Sequence, residues 1–357
     1  MSFHEYSKRT KEKISEILRQ ELSQAVSNYP SFSGDSAGIF NSLKEYALAG
    51  KMLRGLLACL SVELFSDSGQ KGPARIEMYR LGAALELLQA GLLIHDDIMD
   101  EDSLRRGLPT MHKRFELESA HSGAQNPSHL GEAIAICAGD ICFFSAWNLV
   151  SGFGAEMQRL FSRELVKVCL AQARDVRLGS HSHFPDLEES MDVYTYKTAR
   201  YTICLPLLAG AIAAGRSDAA PLLEEIGLNL GILFQLKDDY LGLFGDEACL
   251  GKPIGSDLRE GKKTPYMILL RPRLAAAEKA RFDSIFANEA IDAADVEFVR
   301  GLIFVYGIDK ALEKIENEYA QKAQASLARL LQAFPGLNGD AVQALKDFVE
   351  YSLSRTF

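Results

Sequence analysis

The sequence predicts an all-α protein, in which one large domain of helices spans residues 1–357. Apolar residues recur every three or four positions along almost the whole chain, which is the spacing of one face of a helix. Two helical stretches, 81–94 and 226–236, are apolar on nearly all sides, and Glu86 is the one charged residue in them. Because such helices lie in the middle of a bundle rather than on its surface, we expect a large helical bundle.

The order of the elements follows from the breaks in this periodicity. A first helix is indicated by the apolar spacing of residues 14–26. Further helices are predicted at roughly 40–66, 75–101, 132–152, 155–178, 188–214, 219–244, 273–287, 292–306, 308–334 and 340–354. Pro206 favours a bent helix start over a central strand at its position. Polar loops are predicted at 117–131 and 179–189, and a loop rich in glycine and lysine at 245–263.

Composition argues against several classes of function. The chain has 39 basic and 48 acidic residues, a net charge of −9, whereas a nucleic-acid surface needs clustered Lys and Arg. The six cysteines form no C-x-x-C pair, so they are expected to be small buried residues in a reducing compartment. No signal-peptide pattern is visible at the N-terminus, and no apolar run is long enough to span a bilayer. We therefore expect a cytoplasmic protein without a transmembrane segment.

Five acidic residues crowd into seven positions where helix 75–101 ends: Asp96, Asp97, Asp100, Glu101 and Asp102. On a helix, Asp96 and Asp100 share a face, where like charges repel, and acids at a helix C-terminus oppose its dipole. A divalent cation bound by carboxylate oxygens offsets both effects, and magnesium shared with phosphate is the common form. The simpler alternative is a solvated acidic helix end.

A second apolar helix, 219–244, also runs into paired carboxylates, Asp238 and Asp239. Two such helices suggest acidic groups that face one another across the mouth of a bundle. Behind the first motif, Arg105 and Arg106 offer planar guanidinium groups that suit phosphate oxygens. The loop after the second motif has neither the glycine spacing nor the Lys-Ser/Thr step of a P-loop. We interpret it as a lysine clamp for a polyanion, with a flexible solvated loop as the alternative.

These motifs resemble those of the trans-polyprenyl diphosphate synthases, which have the all-α type I isoprenoid synthase fold, and most closely the geranylgeranyl diphosphate synthases. The family's first aspartate-rich motif, DDxxD followed by four residues and Arg-Arg-Gly, is intact at 96–107. Its other elements match Gly50, Lys51, Arg54, Gln89, Gln172, Asp175, Lys197, Thr198, Phe234, Gln235, Asp238, Asp239, Lys252 and Lys263. The resemblance implies a bundle around a central apolar cavity.

The resemblance implies transfer of a prenyl group from an allylic diphosphate to isopentenyl diphosphate, assisted by magnesium, with about three ions per active site. The magnesium ligands it implies are Asp96, Asp100 and Asp238, oriented by Asp97 and Asp239. It also implies that the released diphosphate takes the final proton, so no protein base is required. A homodimer is a family expectation.

Two diphosphate sites are implied as well. The residues expected to hold the allylic diphosphate are Arg105, Lys197 and Lys252. Those expected to hold isopentenyl diphosphate are Lys51, Arg54, Gln89 and Arg106. Lys263, the last lysine that matches the family, is expected to bind substrate too. Dipoles near Lys197 and Thr198, together with Gln235, are expected to stabilise the allylic cation.

Two departures from the family pattern affect these expectations. Gly242 stands where the second motif usually has its last aspartate, and the next acid is Asp246. Because the first aspartate of that motif is the metal ligand in the family, Asp238 should still serve. The upstream Gly-Gly pair of the family is Ala49-Gly50 in this chain, a minor change.

Product length depends on what closes the apolar cavity. In the family, bulky side chains four and five residues before the first aspartate stop a short chain, and here these are Leu92 and Gly91. A prenyl tail is expected to pass Gly91, which favours a C20 product, and Gly91→Phe is expected to shorten it. A deeper floor formed by Phe143, Phe144 and Trp147 is a further hypothesis.

Several alternatives stay open at this point. The product could be a farnesyl or a longer polyprenyl diphosphate. A terpene cyclase or head-to-head synthase of the same fold would not need Lys51, Arg54 and Gln89 as a second diphosphate site. A non-catalytic partner subunit would usually lose aspartates. A metal-oxidation bundle would need inward Glu-x-x-His pairs, which the sequence lacks.

Overall fold

The structure, a computed structural model, describes residues 1–66, 73–181, 183–245 and 255–354. These residues are almost all helical, so the prediction of an all-α fold is confirmed. Within them, strands β1 (Leu104–Arg105) and β2 (Leu108–Pro109) form one small antiparallel hairpin.

The helices in chain order are α1 (Phe3–Asn28), α2 (Ser33–Leu48), α3 (Leu53–Leu64), α4 (Pro73–Met99), α5 (Met111–His121), α6 (Pro127–Val150), α7 (Gly154–Ser180), α8 (Leu187–Val193), α9 (Leu205–Ala213), α10 (Ala220–Phe244), α11 (Ser256–Arg259), α12 (Pro265–Leu270), α13 (Ala276–Ile285), α14 (Ala293–Val305), α15 (Ile308–Ala333) and α16 (Gly339–Ser354). A π-helix (Tyr194–Cys204) joins α8 to α9, and we call it the π-helical segment. Short 3-10 turns lie at Pro30–Phe32, Ser151–Phe153, Ser217–Ala219 and Arg271–Arg273.

The chain divides into two compact units. The first unit consists of residues 1–162, 206–220 and 335–347, and α4 is its central helix. α4 packs against α1, α3 and α6, and its apolar side chains, Leu81, Leu85 and Ile94 among them, are fully buried. This burial on several sides is what the nearly uncharged sequence of the helix predicts.

The second unit consists of residues 163–205, 221–334 and 348–357, of which 182, 246–254 and 355–357 are not described. Its core is built around Leu236 of α10, Tyr266 of α12, Phe282 of α13, Val299 of α14 and Leu312 of α15. α10 carries the second acidic motif at its C-terminal end, so this apolar core holds the motif's backbone in place.

The structure differs from the sequence predictions at one helix, one loop and one hairpin. The helix predicted at 40–66 is two helices, because Met52 takes a left-handed conformation with φ 56° between α2 and α3. The loop predicted at 117–131 is shorter in the structure, where α5 continues to residue 121 and Asn126 caps α6 at its N-terminus. The hairpin escaped prediction because its two-residue turn, Arg106 at φ 54° and Gly107 at φ 74°, joins strands only two residues long.

The helix predicted at 188–214 is continuous but not uniform, because its middle is the π-helical segment. Pro206 is the second residue of α9, which confirms a helix rather than a strand at its position, although the helical path continues through it instead of starting there. The glycine- and lysine-rich stretch contains α11, while 246–254 lies outside the described residues.

Cysteine burial follows the prediction in part. Cys59, Cys142 and Cys204 are buried, whereas Cys137 and Cys169 are exposed, so the prediction of buried thiols is wrong for these two. Cys249 lies outside the described residues.

Two helical stretches of the described chain, Pro127–Ser180 and Ser217–Phe244, are long and apolar enough to cross a bilayer by length and composition alone. About half or less of each apolar window is buried, 39% and 50% respectively. By this criterion the sequence-based expectation that no apolar stretch is long enough is wrong. Core helices of globular proteins pass the same test, so it does not distinguish a core helix from a membrane span.

Candidate active site

The first acidic motif lies where α4 ends and the chain turns into the hairpin. The helical hydrogen bonding continues past the end of α4, with Asp100 N–H donating to Asp96 O at 2.8 Å. Asp96 and Asp100 are therefore neighbours one turn apart, and both are half-buried. Glu101, with φ 57°, then turns the chain away. The arrangement leaves two carboxylates on one face of the helix end, as the sequence predicts.

Asp97, the middle acid of this motif, is completely buried. Tyr46 of α2 donates its hydroxyl to Asp97 Oδ2 at 2.9 Å, and Arg105 Nε donates to Oδ1. Burial raises the pKa of Asp97, and the positive charge of Arg105 opposes that rise. Arg105 also donates to Asp102 at 3.3 Å. Asp97 thus ties the hairpin to the helix end rather than facing outward beside Asp96.

A basic group lies at the start of α3 in the same unit. A Cβ on Gly50 would lie 3.3 Å from the Arg106 guanidinium, so the missing side chain gives Arg106 room against the Gly50-Lys51 turn. Glu86 of α4 is buried and accepts a 2.7 Å hydrogen bond from Gly55 N–H. Burial raises the pKa of Glu86, while Arg54 and Arg106 are close enough to oppose the rise.

Gln89 follows Glu86 by three residues on α4 and is half-buried, whereas Lys51 is exposed. The structure therefore places Arg106 beside Gly50, and both Arg54 and Arg106 near Glu86 in the middle of α4. The isopentenyl diphosphate site expected from the sequence stays a prediction.

The second acidic motif, in the second unit, repeats the pattern of the first. Asp238 is half-buried and Asp239 is buried. Tyr194 donates its hydroxyl to Asp239 Oδ2, and Gln235 Nε2 donates to Oδ1 at 3.0 Å. Burial, followed by the nearby carboxylate of Asp257, raises the pKa of Asp239 well above its usual value. Each motif thus pairs a more accessible first aspartate with a buried second one that binds a tyrosine.

The π-helical segment carries the Lys-Thr pair that the sequence singled out. Lys197 Nζ lies 2.6 Å from Asp175 Oδ2, which joins it to the Gln-x-x-Asp element on α7. Thr198 donates its hydroxyl to Gln235 Oε1 at 2.9 Å. A continuous chain of hydrogen bonds therefore runs from Thr198 through Gln235 to Asp239.

Asp257 lies where the second motif lacks its last acid. A Cβ built on Gly242 would be 2.9 Å from Asp257 Oδ2, so this carboxylate fills the space beside the glycine. Sequence reasoning considered Asp246, which lies outside the described residues, and missed Asp257. A single sequence gives no signal for it, because the contact joins α11 to α10 across the stretch 246–254.

Of the two lysines that follow the second acidic motif and match the family, the structure describes Lys263 but not Lys252. Lys263 Nζ donates to the carbonyl oxygens of Leu178 and His181 at the C-terminal end of α7, where a cation complements the helix dipole. Burial lowers the pKa of Lys263. Lys252 lies outside the described residues, so its predicted role stays a prediction.

The expectation that a prenyl tail passes Gly91 is wrong in this structure. A Cβ on Gly91 would lie 2.6 Å from the Phe143 ring and 2.8 Å from Gly139 O, so α6 already occupies that space. His95 extends the contact: its ring meets Phe143 edge-on and its Nε2 lies 3.1 Å from Ile136 O. Gly91 is therefore one of two glycines at which α4 and α6 pack closely; the other is Gly139, where a Cβ would lie 2.3 Å from His95 Nε2.

The deeper floor proposed from the sequence is also revised. Phe144 is 74% exposed and Trp147 is 38% exposed, so neither lines an interior space of the first unit. Phe143 is the one member of the three that packs against α4.

The donor set fits magnesium better than a metal held entirely by protein. Within the described ranges, no three His, Cys, Asp or Glu side chains are close enough to hold a metal ion by themselves. Magnesium keeps several waters and binds one or two carboxylates together with substrate phosphates, so the Asp96–Asp100 pair suits it. These oxygen donors are too few for a closed protein cage.

Comparison with known proteins identifies the class. A family model described as polyprenyl synthetase matches residues 38–303. The geranylgeranyl diphosphate synthase of Saccharolobus solfataricus is 32% identical over 329 residues, 88% of this chain and 91% of that protein. The geranylfarnesyl diphosphate synthase of Aeropyrum pernix is 28% identical, over 88% of this chain and 93% of that protein.

A solved structure supports the same class of protein. The geranylgeranyl pyrophosphate synthase from Corynebacterium glutamicum, complexed with isoprenyl diphosphate and magnesium, matches with a TM-score of 0.82 and 29% identity, covering 96% of this chain and 99% of that one. The fold and the paired acidic motifs define an all-α prenyltransferase. The chain belongs to the polyprenyl synthetase family and is a trans-prenyltransferase of isoprenoid biosynthesis, as its sequence predicts.

Proposed function

We propose that the protein condenses isopentenyl diphosphate with an allylic diphosphate and that its main product is the C20 geranylgeranyl diphosphate. The observation that carries the proposal is the repeated design of the two acidic motifs. In each, a buried aspartate fixed by a tyrosine stands beside a more accessible one, which is an arrangement for orienting a metal ligand. The synthases named for geranylgeranyl diphosphate among the relatives support the C20 product.

Magnesium would be held by Asp96, Asp100 and Asp238, with Asp97 and Asp239 orienting them. Three ions per active site is the number we propose. When bound, magnesium neutralises the negative charge that grows on the departing diphosphate. The C. glutamicum synthase, solved with magnesium, supports this dependence.

The protein side chains would do the positioning. Arg105, Lys197 and Lys252 hold the allylic diphosphate, and Lys263 supports the substrate region from the end of α7. The dipoles of Thr198 and Gln235, already joined at 2.9 Å, are available to the allylic cation without reorganisation. Departure of the diphosphate is followed by carbon–carbon bond formation, and the proton that is then lost goes to the released diphosphate.

The second substrate is placed by a separate set of residues. Lys51, Arg54, Gln89 and Arg106 hold isopentenyl diphosphate, and the contact of Arg106 with Gly50 supports this assignment. A terpene cyclase would not need this second set, so a two-substrate synthase is the better reading of it.

Asp257 would supply the acid that Gly242 removes from the second motif. Asp257→Asn is expected to lower kcat about 10- to 100-fold and to raise the magnesium concentration for half-maximal rate, because the half-buried negative charge beside Asp239 is lost. The exposed Asp218→Asn, which breaks the surface pair with Arg216, is the matched control. An unchanged magnesium titration in Asp257→Asn would refute this role.

The proposed activity is tested by incubating the full chain with magnesium, isopentenyl diphosphate and either geranyl or farnesyl diphosphate. A C20 product from both primers is expected. A C25 product, as made by a geranylfarnesyl synthase such as that of A. pernix, would overturn the C20 assignment. No product from any primer would overturn the activity of this chain alone and favour a non-catalytic subunit.

We also propose that residues 1–357 act as a single domain in a cytoplasmic homodimer. The family model extends over segments of both units, which supports the single domain. Exposed apolar side chains on α6, among them Ile136, Phe144 and Trp147, support a second copy as the partner that covers this helix.

A further inference from the structure

A buried ion-pair network lies next to the Lys-Thr pair, and the proposed chemistry makes no use of it. Glu164 of α7 is completely buried and accepts two hydrogen bonds from Arg200, at 2.7 Å from Nε and 3.0 Å from Nη2. The same Nη2 donates to Glu224 of α10 at 2.5 Å. One guanidinium therefore joins three elements of the second unit: α7, the π-helical segment and α10.

Glu164 is also bound by Lys167 and Arg163, so three cations contact the two carboxylates of this network. Burial works to raise the pKa of Glu164, but hydrogen bonds from Arg200 and Lys167 outweigh it and lower the pKa to about 2. Replacing one member of a buried pair leaves the other uncompensated, which is costly, so such networks often fix a particular conformation.

Arg200 lies inside the π-helical segment. Its carbonyl accepts from Leu205 N–H, a bond between residues five apart that marks the widened turn. The segment also packs against α10 at two glycines: a Cβ on Gly231 would lie 2.3 Å from Ala199 Cα, and one on Gly227 would lie 2.8 Å from Cys204 Cα. The backbone of the segment is thus held close to α10 on both sides of Arg200.

The same segment supplies the contacts of the second acidic motif. Tyr194 binds Asp239, Lys197 binds Asp175 and Thr198 binds Gln235. A π-helix is less favourable than an α-helix over the same residues, so a segment this long needs tertiary contacts to persist. Relaxation to an α-helix would rotate residues on one side of Arg200 relative to the other and break some of these bonds.

We propose that Arg200 is a positioning residue for prenyl transfer: by binding Glu164 and Glu224 it holds the π-helical segment in the register that presents Lys197 and Thr198. The inference rests on the proposed role of Lys197 in holding the allylic diphosphate. Arg200 is therefore expected to affect binding of the allylic substrate. Binding of isopentenyl diphosphate should not change, because the residues proposed to hold it belong to the first unit.

The test compares Arg200→Met, Arg200→Lys and Glu164→Gln with the wild-type enzyme by steady-state kinetics, varying each substrate separately. In Arg200→Met, KM for farnesyl diphosphate is expected to rise about tenfold or more and kcat to fall, with KM for isopentenyl diphosphate within about twofold. Arg200→Lys keeps the charge but not the fork that spans two carboxylates, so partial recovery is expected. Glu164→Gln should resemble Arg200→Met.

Arg163→Met is the matched control, because the 60% exposed Arg163 side chain also binds Glu164 but lies outside the π-helical segment. Its kinetics should equal those of the wild type. If Arg200→Met folds poorly, Glu224→Leu, which removes the carboxylate that accepts the 2.5 Å bond and leaves both bonds to Glu164, gives a milder form of the same comparison.

Equal changes in both KM values, or a lower melting temperature with unchanged kinetics per folded molecule, would overturn the proposal and leave Arg200 a structural residue. An inactive wild-type enzyme would instead refute the proposed function, so the two failures are distinguishable.

Discussion

At the scale of single residues, the two acidic motifs share a buried aspartate, to which we assign an orienting role in the proposed metal site. Asp97 and Asp239 are each buried against a tyrosine hydroxyl, and each stands next to a half-buried aspartate. A carboxylate with both oxygens occupied by protein donors has fixed orientation but little freedom to bind a cation. The feature shared by the two motifs is a buried aspartate bound by a tyrosine next to a more accessible aspartate, and the proposed function assigns orientation to the first and metal binding to the second.

We predict that Tyr46→Phe and Tyr194→Phe weaken magnesium use without unfolding the protein. Each substitution removes one hydroxyl that donates to a buried carboxylate, which costs about 1–3 kcal/mol where the acceptor stays buried. The expected result is a higher magnesium concentration for half-maximal rate, measured by titrating magnesium at saturating substrates.

Tyr29→Phe is the control for these variants, since Tyr29 is 55% exposed and stacks on Phe40 rather than on an acid. If both variants titrated like the wild type, the tyrosines would have no part in orienting the metal ligands.

At the scale of elements, the pairing of α4 with α6 limits what lies beside the first motif. Gly91→Ala is expected to destabilise the protein by about 1–3 kcal/mol, because the new methyl group would meet both the Phe143 ring and the Gly139 carbonyl oxygen. The clash makes Gly91→Phe a poor test of product length. Denaturant unfolding of Gly91→Ala measures the cost, and Gly91→Ala with Phe143→Ala should recover part of it.

Phe143→Ala is the better test of product length. Removing the ring opens space beside Gly91 while leaving the backbone contact of the two helices intact. We expect longer products than those of the wild type, measured by chromatography of the dephosphorylated prenols. Phe144→Ala, at a 74% exposed position on the same helix, is the control and should not change the product. Identical products from the two variants would place the floor elsewhere.

The buried pair of α7 and the π-helical segment predicts a dependence of stability on pH. A carboxyl whose pKa is lowered in the folded state, here Glu164 to about 2 from 4.5, adds stability above pH 4.5 and loses it as pH falls toward 2. The lowering corresponds to at most about 3 kcal/mol. Glu164→Gln should therefore be less stable than the wild type at pH 7, and the difference should shrink below pH 4.5. A difference independent of pH would contradict this account.

The sequence predicted the local features of the site and missed the distant ones. The apolar periodicity, the helix ends and the acidic motifs are properties of short stretches, so their spacing alone placed Asp96 and Asp100 on one face. Tyr46 and Tyr194 are 51 and 45 residues from the acids that they bind, and no local pattern indicates those contacts. The π-helical segment escaped prediction because its apolar spacing differs little from that of an α-helix over three turns.

At the scale of the whole molecule, α6 exposes an apolar face, for which we propose a partner. Phe144 is 74% exposed, Ile136 46% and Trp147 38%, and successive spacings of eight and three residues place them on one side of the helix. An exposed group of large apolar side chains marks an interaction surface. The proposed homodimer covers this face, and a lipid bilayer is the competing occupant, since the helix is apolar enough for either.

We predict that the wild-type chain is a dimer at micromolar concentration and that Phe144→Glu shifts it toward the monomer, because a charge in an apolar interface is left without a partner. Light scattering coupled to size-exclusion chromatography measures the mass, and sedimentation with liposomes measures membrane binding. Val305→Glu is the control, since Val305 is 76% exposed on α14 and should leave the mass unchanged. A monomeric wild type that sediments with liposomes, and loses that binding in Phe144→Glu, would replace the second copy with a membrane as the partner of α6.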